Sequence, residues 1–447
     1  MKRKLLFATI VCALGGFLFG FDTVVISGTN EFLRKYFALT PLALGVTVSI
    51  ALWGTVLGSL AIGRPGDLYG RRSMLFLCAL LYLGSAAGCA LAPSWPILLA
   101  FRFIGGLGIG AASVMSPLYI AEISPARLRG RLVAVTQFNI VFGIVVAFFS
   151  NYLIARHFGS EAISVNWRWM LGVMSAPSAL FFLLLFFVPE SPRWLVQKGL
   201  VDQAKRVLEM VGSADVHGEL SAITESLQRE SGTSGASLFQ RKYGFAILCA
   251  VLLAVSNQLT GINAILYYAP TIFQEAGTSI DLAMLQAFSV GATNMLFTVI
   301  AMFFIDKLGR KPLLLIGAVG MFLSLLGAGL HSLVGFMSGT GMVIFIIGFI
   351  ACFAFSQGAV IWVFLAEIFP NKVRAQGQAL GSFAHWIMNA IIGLLFPVAL
   401  SAFTVGPIFI FFALMMIPFF FFVWRMLPET KGVSLEELEK KIVRSGA

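Results

Sequence analysis

Twelve stretches of about 20 or more mostly apolar residues, none with a strand-like period of two, divide this chain into six, one polar interval, and six more. Lipid offers a backbone no water to pair with, so each crossing segment must satisfy its own N–H and C=O groups. Long apolar runs without alternation do so as helices and not as a barrel. The runs are expected at 5–28, 42–63, 73–92, 96–121, 131–155, 168–188, 243–273, 282–305, 311–331, 341–368, 376–401 and 404–427. Of 447 residues, 59% are hydrophobic and 11% charged, too few polar groups to cover a soluble globule of this size. The expectation is an all-α membrane protein with the bilayer as its solvent. The first run follows Met1-Lys2-Arg3-Lys4, holds Asp22 and offers no small-residue cleavage site, so it is expected to remain as the first helix rather than leave as a signal peptide.

The net charge of +11 is sorted by side of the membrane. Of 31 Lys and Arg residues, only Arg34, Lys35, Arg156 and Arg168 fall on the side away from the N terminus, and only Arg102 lies deep within a run, away from its ends. That asymmetry predicts both termini on the cytoplasmic side of the cytoplasmic (inner) membrane and argues against nucleic-acid binding. The five cysteines stand singly in apolar runs, which indicates neither a disulfide framework nor a metal site.

Charged signatures recur in the same order in both halves. Asp67-Leu68-Tyr69-Gly70-Arg71-Arg72 returns as Asp306-Lys307-Leu308-Gly309-Arg310-Lys311; Glu122 with Arg129 returns as Glu367 with Arg374; Pro189-Glu190-Ser191 returns as Pro428-Glu429-Thr430. The copies lie 239, 245 and 239 residues apart (67 to 306, 122 to 367, 189 to 428). A duplicated half predicts two pseudosymmetric six-helix bundles, over 1–189 and 241–430, with a site between them. The interval 190–240 reads as short amphipathic helices joined by Ser/Gly-rich turns, and 431–447 as a cytoplasmic C-terminal helix.

All the repeated motifs fall on the cytoplasmic side. Asp67, Arg71, Asp306 and Arg310 flank tight Gly turns, while Glu122, Arg129, Glu367 and Arg374 flank Pro-broken helix ends. The acids and arginines of the second set are expected to pair across the halves when that side closes. Topogenic charge alone would account for basic residues in short inner loops, but not for one acid-to-base spacing of seven in both halves.

Asp22 lies about seventeen residues into an outward run and Arg102 about six into an inward one, so at ~1.5 Å per residue both sit about 9 Å below the outer edge. Opposite charges at one depth in lipid should pair, and the protonation of such a carboxylate then depends on whether the pair is intact. Amides and aromatics also stand inside the runs: Gln137, Asn257, Gln258, Asn263, Asn294, Trp362, His385, Trp386 and Asn389. A single amide serves equally well to hold two helices together. Gln258, Gly261 and Asn263 group where a Gly interrupts the helix, and an unwound turn aims amides into a cavity. Gly105, Gly106, Gly108 and Gly110 lie inside a run rather than after a strand, so they read as close helix packing and not as a nucleotide loop. Walker, triad and metal motifs are lacking in the sequence, so no enzyme activity, cofactor or metal is expected.

Taken together, Gly15 to Asp22, Gly63-Arg64 through Arg72, Pro189-Glu190-Ser191-Pro192-Arg193-Trp194, Gln258 to Asn263 with Tyr267-Tyr268, and Pro428 to Gly432 resemble the sugar porters of the major facilitator superfamily. Its familiar members are bacterial xylose/proton symporters and animal glucose facilitators, and the resemblance covers essentially the whole chain. It implies proton coupling through Asp22 and Arg102, since the facilitators carry an uncharged residue in place of the acid. It places Gln137, Asn257, Gln258, Asn263, Asn294, Trp362, His385 and Asn389 around the sugar and makes Tyr267 and Tyr268 outer gate residues. This chain departs from the pattern at Asn257 and His385, where longer or other amides are usual, and at Ala359, where a Gly-Pro turn loses its Pro. The expected function is proton-coupled symport of a neutral monosaccharide or polyol by a functional monomer. An uncoupled facilitator is the alternative; a sugar sensor would need a long signalling domain, and a drug/proton antiporter a more apolar and acidic pocket.

Overall fold

The computed structural model describes residues 3–125, 127–213, 215–232, 238–335, 341–370 and 373–431. Among these, every regular element is a helix, and twelve helices are long and apolar enough to cross a membrane. Spans 1 to 6 are Arg3–Tyr36, Pro41–Ala61, Arg71–Leu91, Trp95–Ile123, Arg129–Phe158 and Ile163–Phe187. Spans 7 to 12 are Arg241–Glu275, Ile280–Ile305, Arg310–Val334, Gly341–Glu367, Arg374–Phe403 and Val405–Arg425. The chain is therefore an integral multi-pass membrane protein, as its apolar runs predict.

Two differences from the predicted spans have local causes. Span 1 runs eight residues past 28, to Tyr36, because its polar exit is satisfied inside the helix: the Thr29 hydroxyl donates to the Ile26 carbonyl at 2.8 Å, and Asn30 is buried. Span 10 is broken into Gly341–Phe355 and Gln357–Glu367 at Ser356, whose φ of −117° and ψ of −93° are not helical. Neither Gly nor Pro marks that residue in the sequence.

The polar interval folds as expected into short helices, Pro192–Gln197, Val201–Val211 and Val216–Gly232. Ser191 caps the first by accepting from the Trp194 N–H. The second buries Ala204, Val207, Leu208 and Val211, which share one face, and ends at Gly212 in a left-handed conformation. Of the Ser/Gly turn expected at 231–235, residues 231–232 instead end the third helix, and 233–235 lie outside the described residues, as does the C-terminal helix expected at 431–447 beyond Lys431.

The described chain divides into two compact units. One comprises Met1–Val25, Ile50–Ala147 and Trp167–Gly235; the other comprises Ile26–Ser49, Phe148–Asn166 and Ala236–Ala447. Spans 1, 2, 5 and 6 thus each contribute to both. In the first unit, spans 2 and 4 meet backbone to backbone. A β-carbon at Gly106 or Gly110 would strike the Ala51 or Thr55 carbonyl, and one at Gly54 or Gly58 the Phe103 or Leu107 carbonyl. The glycine row is a helix-packing surface repeated every four residues.

Candidate functional site

In the first unit, Arg102 Nη1 lies 3.2 Å from Asp22 Oδ1, and both side chains are almost wholly buried. Equal depth has brought the pair together as the sequence predicts. The remaining atoms are left open: Asp22 Oδ2 and Arg102 Nε have no hydrogen-bond partner. A salt bridge held by one contact and buried within the protein is a costly arrangement, because breaking it without neutralising the carboxylate strands a charge at about 3–5 kcal/mol. Gln137 is half-buried in span 5 of the same unit.

In the second unit, Gly261 interrupts span 7 between Gly244–Gln258 and Ile262–Glu275. Its φ of +82° suits glycine alone, and a β-carbon there would collide with the Phe412 ring. Thr260 sews the break: its hydroxyl donates to the Asn257 carbonyl at 2.7 Å and accepts from the Ile262 N–H at 3.2 Å. That turn gathers the amides. Asn263 Nδ2 donates to Gln258 Oε1 at 2.8 Å, Gln258 Nε2 donates to Asn257 Oδ1 at 3.3 Å, and the same Nε2 lies 3.0 and 3.2 Å from the two His385 ring nitrogens. Trp362 places its ring 5.0 Å from that of His385, and Asn389 Nδ2 donates to the Tyr267 phenol at 2.9 Å. Tyr268 donates to the Gly393 carbonyl at 2.7 Å and stacks on Phe396. Asn294 accepts from Thr298 one turn along span 8.

Within this cluster Asn257 Nδ2 and Asn389 Oδ1 are buried and have no partner. One is a donor and the other an acceptor, the complement of a hydroxyl, which does both. With the indole of Trp362 beside them, they suit a neutral ring bearing several hydroxyls better than an ion, for which this cluster offers no charge.

The repeated motifs join into one network per half. In the first, Arg71 contacts Glu122 Oε2 at 2.9 Å through Nε and Asp67 Oδ1 at 3.0 Å through Nη1, while the backbone N–H groups of Arg71 and Arg72 donate to Glu190 at 3.1 Å. Ser191 completes it by donating to Glu122. In the second, Arg310 Nη2 contacts Glu367 at 2.8 Å, the Arg310 and Lys311 N–H groups donate to Glu429 at 3.0 and 2.9 Å, and Thr430 donates to Glu367. Gly70 and Gly309, with φ of +95° and +91°, turn the chain so that each glutamate seats on the start of the following helix.

In this structure the acids and arginines flanking the Pro-broken helix ends take partners within their own units. Glu122 and Glu367 are held by Arg71 and Arg310 of their own unit, whereas Arg129 and Arg374 donate to the carbonyls of Ala121 and Phe369. The reason is geometric: a helix end broken at Pro curls the following arginine back onto its own carbonyls. The Asp306 side chain lies outside the described residues. Sequence reasoning passed over Glu190 and Glu429 as site residues although their repetition at 239 residues was the available signal. It also missed Asn30 and Gln357; the latter follows the Ser356 break and is buried with both amide atoms unpartnered.

Known proteins resemble this chain over nearly its whole length. The family model described as "Sugar (and other) transporter" matches residues 8–442. The D-xylose-proton symporter of Escherichia coli (strain K12) is 37% identical over 468 residues, covering 96% of this chain and 94% of that protein. The arabinose-proton symporter of Bacillus subtilis (strain 168) is 39% identical over 435 residues, with the same coverage of 96% and 94%. The inward open structure of the xylose transporter XylE from E. coli superposes with a TM-score of 0.87 at 35% identity, over 98% of this chain and 99% of that one.

Proposed function

The chain belongs to the family of sugar (and other) transporters, and we propose that it carries a neutral monosaccharide or polyol across the cytoplasmic membrane together with a proton. Both termini face the cytoplasm, where the two Glu–Arg networks form the inner gate, and the carrier works as a monomer by alternating access. One observation carries the coupling: Asp22 is buried in a span on a single ion-pair contact, with its second carboxylate oxygen open. A proton arriving there neutralises the acid and lets Arg102 separate without stranding a charge, which ties proton entry to a change of packing.

Sugar is held by the amides. Asn257 and Asn389 offer the free donor and acceptor, Gln258 and Asn263 brace the first and Tyr267 the second, and Trp362 covers the apolar face of the ring. Gln137 and Asn294 add further amides. His385 replaces an amide with an imidazole, so its ring selects among sugars by shape and by which nitrogen accepts from Gln258.

The test is uptake by proteoliposomes holding purified protein. Xylose, arabinose, other pentoses, hexoses and polyols are screened by counterflow, and each active sugar is then driven by an imposed pH gradient. Accumulation against the sugar gradient, with alkalinisation outside, supports symport. Counterflow without accumulation means a facilitator and overturns the coupling.

A further inference from the structure

Span 7 is fastened on the side away from the N terminus by a residue of span 1 that neither the amide cluster nor the charged networks use. Pro270 has no N–H to give to the Leu266 carbonyl one turn back, and the helix Ile262–Glu275 departs from helical geometry beside the Tyr267 carbonyl, at Tyr268, with φ of −126° and ψ of 16°. A carbonyl in such a kinked turn is open to partners from other helices. The Asn30 side chain takes the Tyr267 carbonyl: its Nδ2 donates at 2.8 Å, and the residue is 1% exposed. Tyr267 is held at its other end as well, where its phenol accepts from Asn389 Nδ2 at 2.9 Å. Both ties lie within one compact unit, which contains Ile26–Ser49 along with spans 7 and 11.

We propose that Asn30 is the lock of the outer gate and that Tyr267 links this lock to the sugar-binding amide Asn389, a proposal that rests on the sugar-transport reading above. A side-chain amide suits a reversible lock. It makes one strong hydrogen bond to a backbone carbonyl that side-chain evolution cannot remove, and it is uncharged, so releasing it costs no stranded ion. Asn30 Oδ1 has no partner, so the residue is held in place by this one bond and gains a second only when water reaches it. Opening the outer side exchanges the Tyr267 bond for water. Sugar engaging the open Asn389 Oδ1 draws on the same carboxamide whose Nδ2 holds the Tyr267 phenol, which joins occupancy of the site to the tightness of the lock.

The test compares amide hydrogen exchange of the full-length protein in lipid nanodiscs, without sugar, for wild type and Asn30→Ala. Exchange across residues 262–275 is expected to rise about 2- to 12-fold, the range set by one net hydrogen bond, while residues 3–20 at the other end of span 1 stay unchanged. Asn30→Gln, with the same amide on a longer stem, gives partial protection. Tyr267→Phe keeps the carbonyl bond and so keeps protection, but added sugar no longer changes it. Unchanged exchange in Asn30→Ala overturns the lock, as does a rise spread equally over residues 3–20, which signals general destabilisation. If the wild type transports no sugar, the transport reading fails separately, because the sugar-free exchange comparison does not depend on it.

Discussion

The proposed coupling and selectivity each rest on a single side chain. Asp22→Asn keeps the size of the residue and removes its charge, so concentrative uptake under a pH gradient should vanish while counterflow persists. Full accumulation by that variant would show that the proton travels elsewhere. His385→Gln should restore an amide beside Gln258 and reorder the sugars taken in a counterflow panel, with affinity changes of about 2- to 12-fold for a gained or lost neutral hydrogen bond. An unchanged ranking excludes His385 as the selector. Asp22 and Arg102 were legible in the sequence, since charges in apolar runs have few explanations and equal depth made them partners. Asn30 was not, because a polar residue near the predicted end of a run reads as the exit from lipid rather than as a buried donor.

Helix breaks and helix contacts form the next scale. The break in span 7 was readable because Gly261 marks it, and the amides around it could be grouped in advance. The break in span 10 was less so: the Gly358-Ala359 pair, which lacks the usual Pro, lies beside it, but Ser356 itself carries no breaking residue. The glycines of span 4 are a stricter constraint than any polar residue. Gly106→Leu would drive a side chain into the Ala51 carbonyl, and backbone cannot rotate away as a side chain can. It should cost at least the ~1–3 kcal/mol of an overpacked core and reduce the yield of monodisperse protein in size-exclusion chromatography. Gly84→Leu, where a β-carbon meets open space, is the control and should behave as wild type.

Across the whole molecule, the repeat announced two related halves but not that their charged networks differ electrically. Glu190 is pushed above the ordinary glutamate range by burial, which outweighs the N–H groups of Ser191, Arg72 and Arg71. Burial acts the same way on Glu429, yet the N–H groups of Lys431, Arg310, Lys311 and Thr430 together outweigh it and hold that carboxyl below the ordinary range. Glu190 therefore adds stability at low pH that is lost as pH rises through its raised value. Glu429 adds stability above the ordinary value that is lost as pH falls through its lowered one. The melting deficit of Glu190→Gln should widen on acidification and that of Glu429→Gln should shrink; parallel pH profiles would refute the asymmetry.

The sequence halves and the compact units also differ, because unit membership depends on long-range packing that no local pattern encodes. Residues 26–49 and 148–166 come early in the chain but belong with spans 7 to 12. During synthesis these segments leave the ribosome well before most of the unit they complete exists. They must wait in the membrane, partly unpartnered, until the later helices arrive. The order of insertion thus leaves the ends of spans 1, 2, 5 and 6 away from the N terminus as the last part of the early chain to settle, and the part most dependent on chaperoning while translation runs on.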